Sequence, residues 1–286
     1  MTVNREAAKS PGKSPSHRGS GCLALHRGAT NAILCQAVKV AFVGAAMLAG
    51  ASDRALSQVA GSVSSAEKCL SANPDLSLGA LLPRTAARLK SNEPLRIVAI
   101  GSSSTVGLWV LTSAATYPEV MRRELSRLRT NAIIDVTNSG RVGDTIPGTI
   151  ARFERGVFAY KPDLVVWQLG TNDVAWGGRP DEVLRGRVVE GVRALKAGSA
   201  DIVLMDLQYA PRVLASAYHS TMEAIIRDVA KQERVGLFSR FALMRNAIDA
   251  GVSPSALVSW DGLHNTAEGY DCIGRALARA ISRSTP

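Results

Sequence analysis

The feature that most limits the fold of this chain is an alternation, from Leu95 onward, of short apolar runs with longer amphipathic stretches. Strands are predicted at residues 96–100, 133–137, 164–169, 202–206 and 235–238. Apolar runs without a polar face are typical of strands that are buried on both sides. The pattern therefore predicts an α/β domain over residues 95–286, with a parallel sheet covered by helices on both faces.

The amphipathic stretches between these runs supply the helices. Helices are predicted at residues 117–128, 149–159, 181–196, 215–232 and 267–281, with a shorter one at 239–250. The preceding segment, residues 59–94, contains Pro74 and Pro83 and no strand-like run. We predict that it is an extension that packs on the domain and carries one short helix after Pro83.

Residues 1–58 have the composition of a targeting segment. Six Lys or Arg residues and one Glu precede residue 40, so this stretch supplies +5 of the formal net charge of +10. The apolar stretch 40–51 follows, which predicts a cleaved signal peptide and export to the periplasm or the medium. An uncleaved membrane anchor is the alternative. The other positive charges are scattered without long basic runs or interleaved aromatic residues, which disfavours a nucleic-acid partner.

Export changes how the four cysteines are interpreted. Cys22 and Cys35 would leave with the leader, so the mature chain would keep Cys69 and Cys272. Disulfides persist in oxidising compartments. One hypothesis is a disulfide that ties the extension to the last helix, and the alternative is two separate buried thiols.

Polar residues follow the predicted strands, where open parallel sheets bind their ligands. The segments are "GSSSTVG" from Gly101, "NSGRVGDT" from Asn138, "GTNDVAWGG" from Gly170, "QYAPR" from Gln208 and "SWDGLHNTAEGY" from Ser259. Four of these five segments contain residue types used in acyl transfer. A serine nucleophile needs a base, and negative charge on the reacting carbonyl oxygen needs N–H donors. The Gly143 backbone and the Asn172 amide are candidate donors.

Two histidines follow the leader. His219 lies in an amphipathic stretch, where a solvated or packed imidazole is the simpler interpretation. His264 lies three residues after Asp261 in a glycine-containing loop, which suits a base oriented by a carboxylate. Asn265 and Glu268 have the spacing of a capping box and predict where the last helix begins.

Together these segments resemble the four motif blocks of the SGNH, or GDSL-type, hydrolase superfamily over residues 95–286. The resemblance implies a flavodoxin-like three-layer α/β/α sandwich with five parallel strands, and it implies no cofactor. It identifies Ser103 as the nucleophile, with Asp261 and His264 as orienting carboxylate and base. Gly143, Asn172 and the Ser103 backbone would form the oxyanion hole.

The sequence departs from the superfamily pattern at two positions. Ser102 stands where the first block usually has aspartate, which puts the hydrogen bonds around the nucleophile in doubt, and Asn265 stands where many members have proline. The chain has no G-x-S-x-G elbow, which argues against the α/β-hydrolase fold. It also shows no cluster with metal-ligand spacing, so no metal is expected.

The function predicted from the sequence is an exported serine esterase acting on a small-molecule or carbohydrate ester. Trp109, Trp176 and Trp260 lie in or beside the candidate loops, and exposed indoles suit sugar faces or acyl groups. The indoles would then bind substrate, although anchoring of the loops explains them equally well. Removal of acetyl or other short acyl groups from carbohydrate is favoured. Alternatives are a short-chain lipase or lysophospholipase, an O-acyltransferase, and a carbohydrate-binding or assembly protein without turnover.

Overall fold

The computed structural model describes residues 63–286, and the predicted leader lies outside the described residues. A single sheet of five parallel strands has the order β2-β1-β3-β4-β5. The strands are β1 (Leu95–Gly101), β2 (Ile134–Gly140), β3 (Leu164–Gln168), β4 (Asp201–Met205) and β5 (Gly236–Phe238). Strand order reverses between β1 and β3, so loops that follow these strands and β2 surround one crevice.

Thirteen α-helices are present in residues 63–286. They are α1 (Ser65–Ser71), α2 (Pro83–Leu89), α3 (Ser103–Val106), α4 (Tyr117–Leu128), α5 (Ile146–Ile150), α6 (Phe153–Gly156), α7 (Thr171–Ala175), α8 (Glu182–Ala197), α9 (Pro211–Leu214), α10 (His219–Glu233), α11 (Arg240–Asp249), α12 (Pro254–Leu257) and α13 (Ala267–Arg283). Helix α13 packs against α4 and α1, whereas α8 packs against α10 and α5. These two groups form the outer layers of an α/β/α sandwich, which confirms the predicted fold class.

The core lies on both faces of the sheet because the central strands carry apolar residues at successive positions. Every residue of β3 is buried, including Trp167 and the polar Gln168 at its carboxyl end. Helix α13 approaches α4 closely at Gly274, where a Cβ atom would lie 2.6 Å from the Cβ of Val120. Strand burial and close helix packing hold the carboxyl edge of the sheet in place.

Two predicted helices were wrong in their bounds, and the first helix was not predicted. The stretch predicted as one helix at 149–159 divides into α5, α6 and the 3₁₀ turn Phe158–Tyr160. Arg152 leaves helical geometry between α5 and α6, and its guanidinium is buried against Asp144. The stretch predicted at 215–232 begins as an α-helix only at His219, and α1 was not predicted.

The predicted capping box of the last helix was also wrong. Thr266 caps α13, because its side chain accepts a hydrogen bond from the N–H of Gly269. Glu268 turns away and accepts a hydrogen bond from the N–H of Ala66 in the extension. Asn265 donates to the carbonyl oxygen of Leu257.

The described part of the extension packs on the sheet domain. Leu78 and Leu82 are buried, and the carbonyl oxygen of Leu78 accepts a hydrogen bond from the N–H of Leu237 in β5. Cys69 of α1 and Cys272 of α13 form a disulfide, which decides between the two alternatives for these cysteines. Within residues 63–286, no helix combines the length and apolar character needed to cross a membrane.

Candidate active site

Ser103 lies where β1 ends and is the first residue of α3. Gln168 holds the preceding residue, because its side-chain oxygen accepts hydrogen bonds from the backbone N–H and the hydroxyl of Ser102, at 2.8 and 2.9 Å. Gly140 of β2 permits the close approach of α3, since a Cβ atom there would lie 2.4 Å from the backbone nitrogen of Val106. The serine hydroxyl is thus held at the carboxyl edge of two neighbouring strands.

The structure brings together the serine, histidine and aspartate that the sequence singled out. Ser103 Oγ lies 2.7 Å from His264 Nε2, and His264 Nδ1 lies 2.5 Å from Asp261 Oδ2. In the arrangement competent for catalysis, the neutral imidazole donates its Nδ1–H to Asp261 and accepts the serine proton at Nε2. The neighbouring hydroxyl of Ser104 is buried without a hydrogen-bond partner in the described residues.

The Asp261 carboxylate accepts four hydrogen bonds. Its Oδ1 atom accepts from the backbone N–H groups of Leu263 and His264, both at 3.0 Å. Its Oδ2 atom accepts from the His264 ring and, at 2.8 Å, from the indole N–H of Trp109. Partial burial opposes ionisation, but the bonds from His264, Leu263 and Trp109 outweigh it and hold the pKa of Asp261 well below its usual range. The carboxylate therefore stays charged beside the imidazole.

A second glutamine links the histidine loop to the loop after β3. Gln208 donates to the carbonyl oxygen of Leu263 at 3.1 Å and accepts from the hydroxyl of Thr171 at 2.9 Å. Sequence reasoning missed both Gln168 and Gln208. The available signal was an amide at the end of an otherwise apolar run for Gln168, and an amide three residues beyond β4 for Gln208.

Asn172 and Gly143 lie in loops that are tied together. The Asn172 amide donates one N–H to the carbonyl oxygen of Asp144 at 2.8 Å, which leaves its second N–H available. Gly143 has a φ of +79°, a conformation that favours glycine, and open space lies where a Cβ atom would be. No acceptor among residues 63–286 engages the backbone N–H of Gly143 or of Ser103. These N–H groups can serve a developing oxyanion.

Buried charges support the Gly143 loop. The Asp144 carboxylate lies 2.6 Å from Arg141 and 2.5 Å from Arg152, and Arg152 also donates to the carbonyl oxygen of Gly101 at the end of β1. Asp173 accepts hydrogen bonds from the backbone N–H of Ile146. Burial raises the pKa of Asp173 to about 6 despite these bonds. The network joins the ends of β1, β2 and β3 into one rigid edge.

The three tryptophans predicted beside the site are all solvent-exposed, at 51% for Trp109, 82% for Trp260 and 64% for Trp176. The rings of Trp109 and Trp260 lie 5.3 Å apart between centroids. The indole N–H of Trp176 donates a hydrogen bond to Asn172 Oδ1 at 3.3 Å, and the guanidinium of Arg212 lies 4.9 Å from the centroid of the Trp176 ring. Trp109 and Trp176 are therefore held at the site by hydrogen bonds, and all three rings have surface open to solvent.

His219 is not part of this constellation. Its Nδ1–H donates to the carbonyl oxygen of Ser216 at 2.8 Å, and its ring stacks on Phe241. Over residues 63–286, no group of three or more His, Cys, Asp or Glu side chains is arranged to hold a metal ion.

The sequence is similar to those of two named ester hydrolases. The chain is 23% identical over 186 residues to an arylesterase from Vibrio mimicus, covering 65% of this chain and 88% of that protein. It is 28% identical over 164 residues to an acetylxylan esterase from Geobacillus stearothermophilus, covering 52% of this chain and 72% of that protein.

One solved structure with a similar fold is a two-domain esterase active on acetylated mannans, with a TM-score of 0.61 and 17% identity. The match covers 72% of this chain but only 54% of that protein, about half of its length. At this identity the likeness concerns the fold alone. The fold and the named relatives define a hydrolase of ester bonds within the SGNH-like superfamily. The chain belongs to the Non-GDSL lipase-like family, whose sequence model matches residues 68–285.

Proposed function

We propose that this protein is an exported serine esterase that removes acetyl or other short acyl groups from carbohydrate. The observation that carries the catalytic part is the 2.7 Å contact between Ser103 Oγ and His264 Nε2, with Asp261 behind the ring. A serine with a base and an oriented carboxylate is equipped for acyl transfer.

In the proposed reaction, Ser103 Oγ attacks the ester carbonyl carbon while its proton passes to His264 Nε2. The carbonyl oxygen becomes an oxyanion, stabilised by N–H groups of Ser103, Gly143 and Asn172. Collapse breaks the ester bond, and His264 returns the proton to the leaving alcohol. Water then attacks the acyl-serine, with the same imidazole taking its proton. The acyl–Oγ bond then breaks, His264 returns the proton to Ser103 Oγ, and the carboxylic acid leaves, so the cycle needs no redox partner.

The carbohydrate part is supported by the exposed tryptophans and by the relatives. Trp109 and Trp260 present adjacent rings beside Asp261, and flat indole faces suit the apolar face of a sugar ring. Relatives named for acetylxylan and acetylated mannan act on acetylated polysaccharides. The arylesterase relative supports a second candidate, hydrolysis of small aryl or short-chain esters.

Export is supported by the basic and apolar leader and by the disulfide between Cys69 and Cys272, because such bonds persist in oxidising compartments. Fractionation of expressing cells and mass determination test it. We expect a protein outside the cytoplasm that begins near residues 57–61. Full-length protein confined to the cytoplasm would contradict export.

A substrate panel tests the activity. Acetylated xylo- and manno-oligosaccharides and aryl esters of acetate, butyrate and octanoate are assayed with wild type, Ser103→Ala and Ser104→Ala. We expect wild type to release acetate from the oligosaccharides, Ser103→Ala to lose nearly all turnover, and Ser104→Ala to retain it, because the Ser104 hydroxyl makes no hydrogen bond within residues 63–286.

Each outcome addresses one part of the proposal. Cleavage of aryl esters without release of acetate from any oligosaccharide would favour the second candidate. Transfer of acetyl to a sugar acceptor in preference to water would indicate an acyltransferase. Full activity in Ser103→Ala, or no labelling of wild type at Ser103 by a fluorophosphonate, would overturn the mechanism.

A further inference from the structure

Trp109 makes an unusual contact for an exposed aromatic residue. Its indole N–H donates to Asp261 Oδ2 at 2.8 Å, the same oxygen that faces His264 Nδ1. The two residues are 152 positions apart in the chain. Trp109 therefore links the loop that follows the serine helix α3 to the loop that carries the histidine.

The contact completes the coordination of the carboxylate. A carboxylate offers about four hydrogen-bonding sites. Three donors to Asp261 belong to its own loop, namely the N–H groups of Leu263 and His264 and the His264 ring. The fourth donor is Trp109. Without it, Oδ2 would accept a hydrogen bond from the His264 ring alone among the described residues, and the carboxylate would lose one restraint on its rotation.

The backbone is built to place this indole. Trp109 has a φ of +72°, in the left-handed region that non-glycine residues seldom occupy. The turn before it is anchored twice, because Ser103 O accepts from the N–H of Leu108 and the Leu108 carbonyl oxygen accepts from the Tyr270 hydroxyl. A strained conformation persists only where its surroundings hold it, and such strain clusters at functional sites.

We propose that Trp109 is a positioning residue of the active site, whose indole N–H fixes the Asp261 carboxylate and, through it, the His264 imidazole. The inference rests on the proposed role of Ser103, His264 and Asp261. It assigns Trp109 a role in the chemical step, separate from any contact between its ring and a sugar.

The test removes the N–H and keeps the ring. Trp109 is replaced by 3-benzothienylalanine, which has the indole shape with sulfur in place of N–H, and separately by phenylalanine. The substrate is an aryl acetate, which is too small to report sugar binding. We expect kcat to fall about 5- to 20-fold with KM within about twofold, because a hydrogen bond to a charged group in the reacting assembly is lost.

The pH profile supplies a readout that a structural role would not move. The Trp109 N–H withdraws charge from Oδ2, so its loss leaves a carboxylate that stabilises the imidazolium more strongly. The acidic limb of kcat/KM should therefore move to higher pH by a few tenths of a unit. Tyr270 is a further titratable group near Asp261, because burial and then neighbouring charges that include Asp261 raise the pKa of its hydroxyl, and both replacements leave Tyr270 in place.

Leu111→Ala is the matched control, because Leu111 is fully exposed in the same loop. We expect its kcat and its acidic limb to equal those of wild type. Circular dichroism and thermal unfolding establish that each variant is folded. If the benzothienyl variant is folded and keeps kcat within twofold, or if its acidic limb does not move upward, the proposal is overturned. A different result would contradict the proposed function itself, namely activity that is retained in Ser103→Ala.

Discussion

At the scale of single residues, Ser102 shows how far a motif predicts a site. Aspartate usually stands at this position in the superfamily, and its replacement put the surrounding hydrogen bonds in doubt. The backbone N–H and the hydroxyl of Ser102 both donate hydrogen bonds to Gln168 Oε1. The motif predicted which residues would meet, but it could not predict Gln168 or the contact between Trp109 and Asp261. Those contacts depend on where distant loops cross, and local sequence does not encode that.

Asn172 provides a prediction at this scale. One N–H of its amide is held by the carbonyl oxygen of Asp144, so the other has a fixed direction. Removal of one oxyanion donor typically lowers kcat about 10²- to 10³-fold, and we expect this loss for Asn172→Ala on an aryl acetate. KM should change little, because the bond strengthens mainly in the transition state.

Asn172→Asp is the size-matched companion for this measurement. It keeps the shape of the side chain but replaces the N–H donors with oxygen, so its kcat should fall at least as far. A kcat within about fivefold of wild type in both folded variants would show that the Asn172 amide is not a working donor.

At the scale of elements, the periodicity of apolar residues predicted helix bounds best where no tertiary contact breaks the helix. Helix α4 was predicted with its observed bounds, since Tyr117, Val120, Met121 and Leu125 recur at helical spacing and are buried where the helix packs against α13. The prediction of one continuous helix at 149–159 was wrong. Arg152 has non-helical backbone geometry there, and its buried side chain donates a hydrogen bond to Asp144. A buried ion pair between two loops is a tertiary effect that amphipathic periodicity does not contain.

The junction between β4 and α11 carries a pH-dependent prediction. Asp206 follows β4 and accepts hydrogen bonds from the N–H of Phe241 and the hydroxyl of Ser239, which caps α11. Burial raises the pKa of Asp206 to about 6 despite these bonds and the neighbouring Arg240. An unfolded aspartate has a pKa of about 4. The stability that this carboxyl contributes is therefore fully present below about pH 4 and is lost as pH rises through 6.

Asp206→Asn removes this titration. The free energy of unfolding of the variant relative to wild type should rise by about 1 to 2 kcal/mol between pH 4.5 and pH 7. Urea unfolding followed by circular dichroism at the two pH values measures this difference, in which most other titrating groups cancel.

Asp163→Asn is the matched control for that measurement. Burial opposes ionisation of Asp163, but the backbone N–H of Arg96 and the Arg88 side chain outweigh it and lower the pKa of this carboxyl. Its titration lies below the chosen window, so Asp163→Asn should destabilise the protein equally at both pH values. If the free-energy difference between Asp206→Asn and wild type is also the same at both pH values, the prediction that the Asp206 carboxyl titrates near pH 6 in the folded protein is wrong.

At the scale of the whole molecule, the extension is part of the folded unit. Its helix α1 lies against α13, the helix that begins three residues after His264, and Glu67 forms a 2.6 Å ion pair with Arg275. Asn73 donates to the carbonyl oxygen of Leu243 in α11. The sequence predicted the packing and left the disulfide as one of two alternatives, but it did not indicate these contacts, because local sequence does not show which distant helix a segment will meet.

The disulfide should therefore stabilise the whole domain rather than tether a loose arm. Cys69 and Cys272 are 203 residues apart and enclose all five strands of the sheet, so the bond restricts the unfolded chain strongly. Replacing both cysteines by serine should lower the free energy of unfolding by about 2 to 5 kcal/mol and the Tm by about 5 to 15 °C. Turnover of an aryl acetate at 25 °C should persist, because neither cysteine contributes a hydrogen bond to Ser103, His264 or Asp261.

Reductant is the control for the disulfide: it should lower the Tm of wild type and leave the Tm of the double variant unchanged. Equal Tm values for the two proteins, or alkylation of both thiols in folded wild type without reductant, would contradict a stabilising bond.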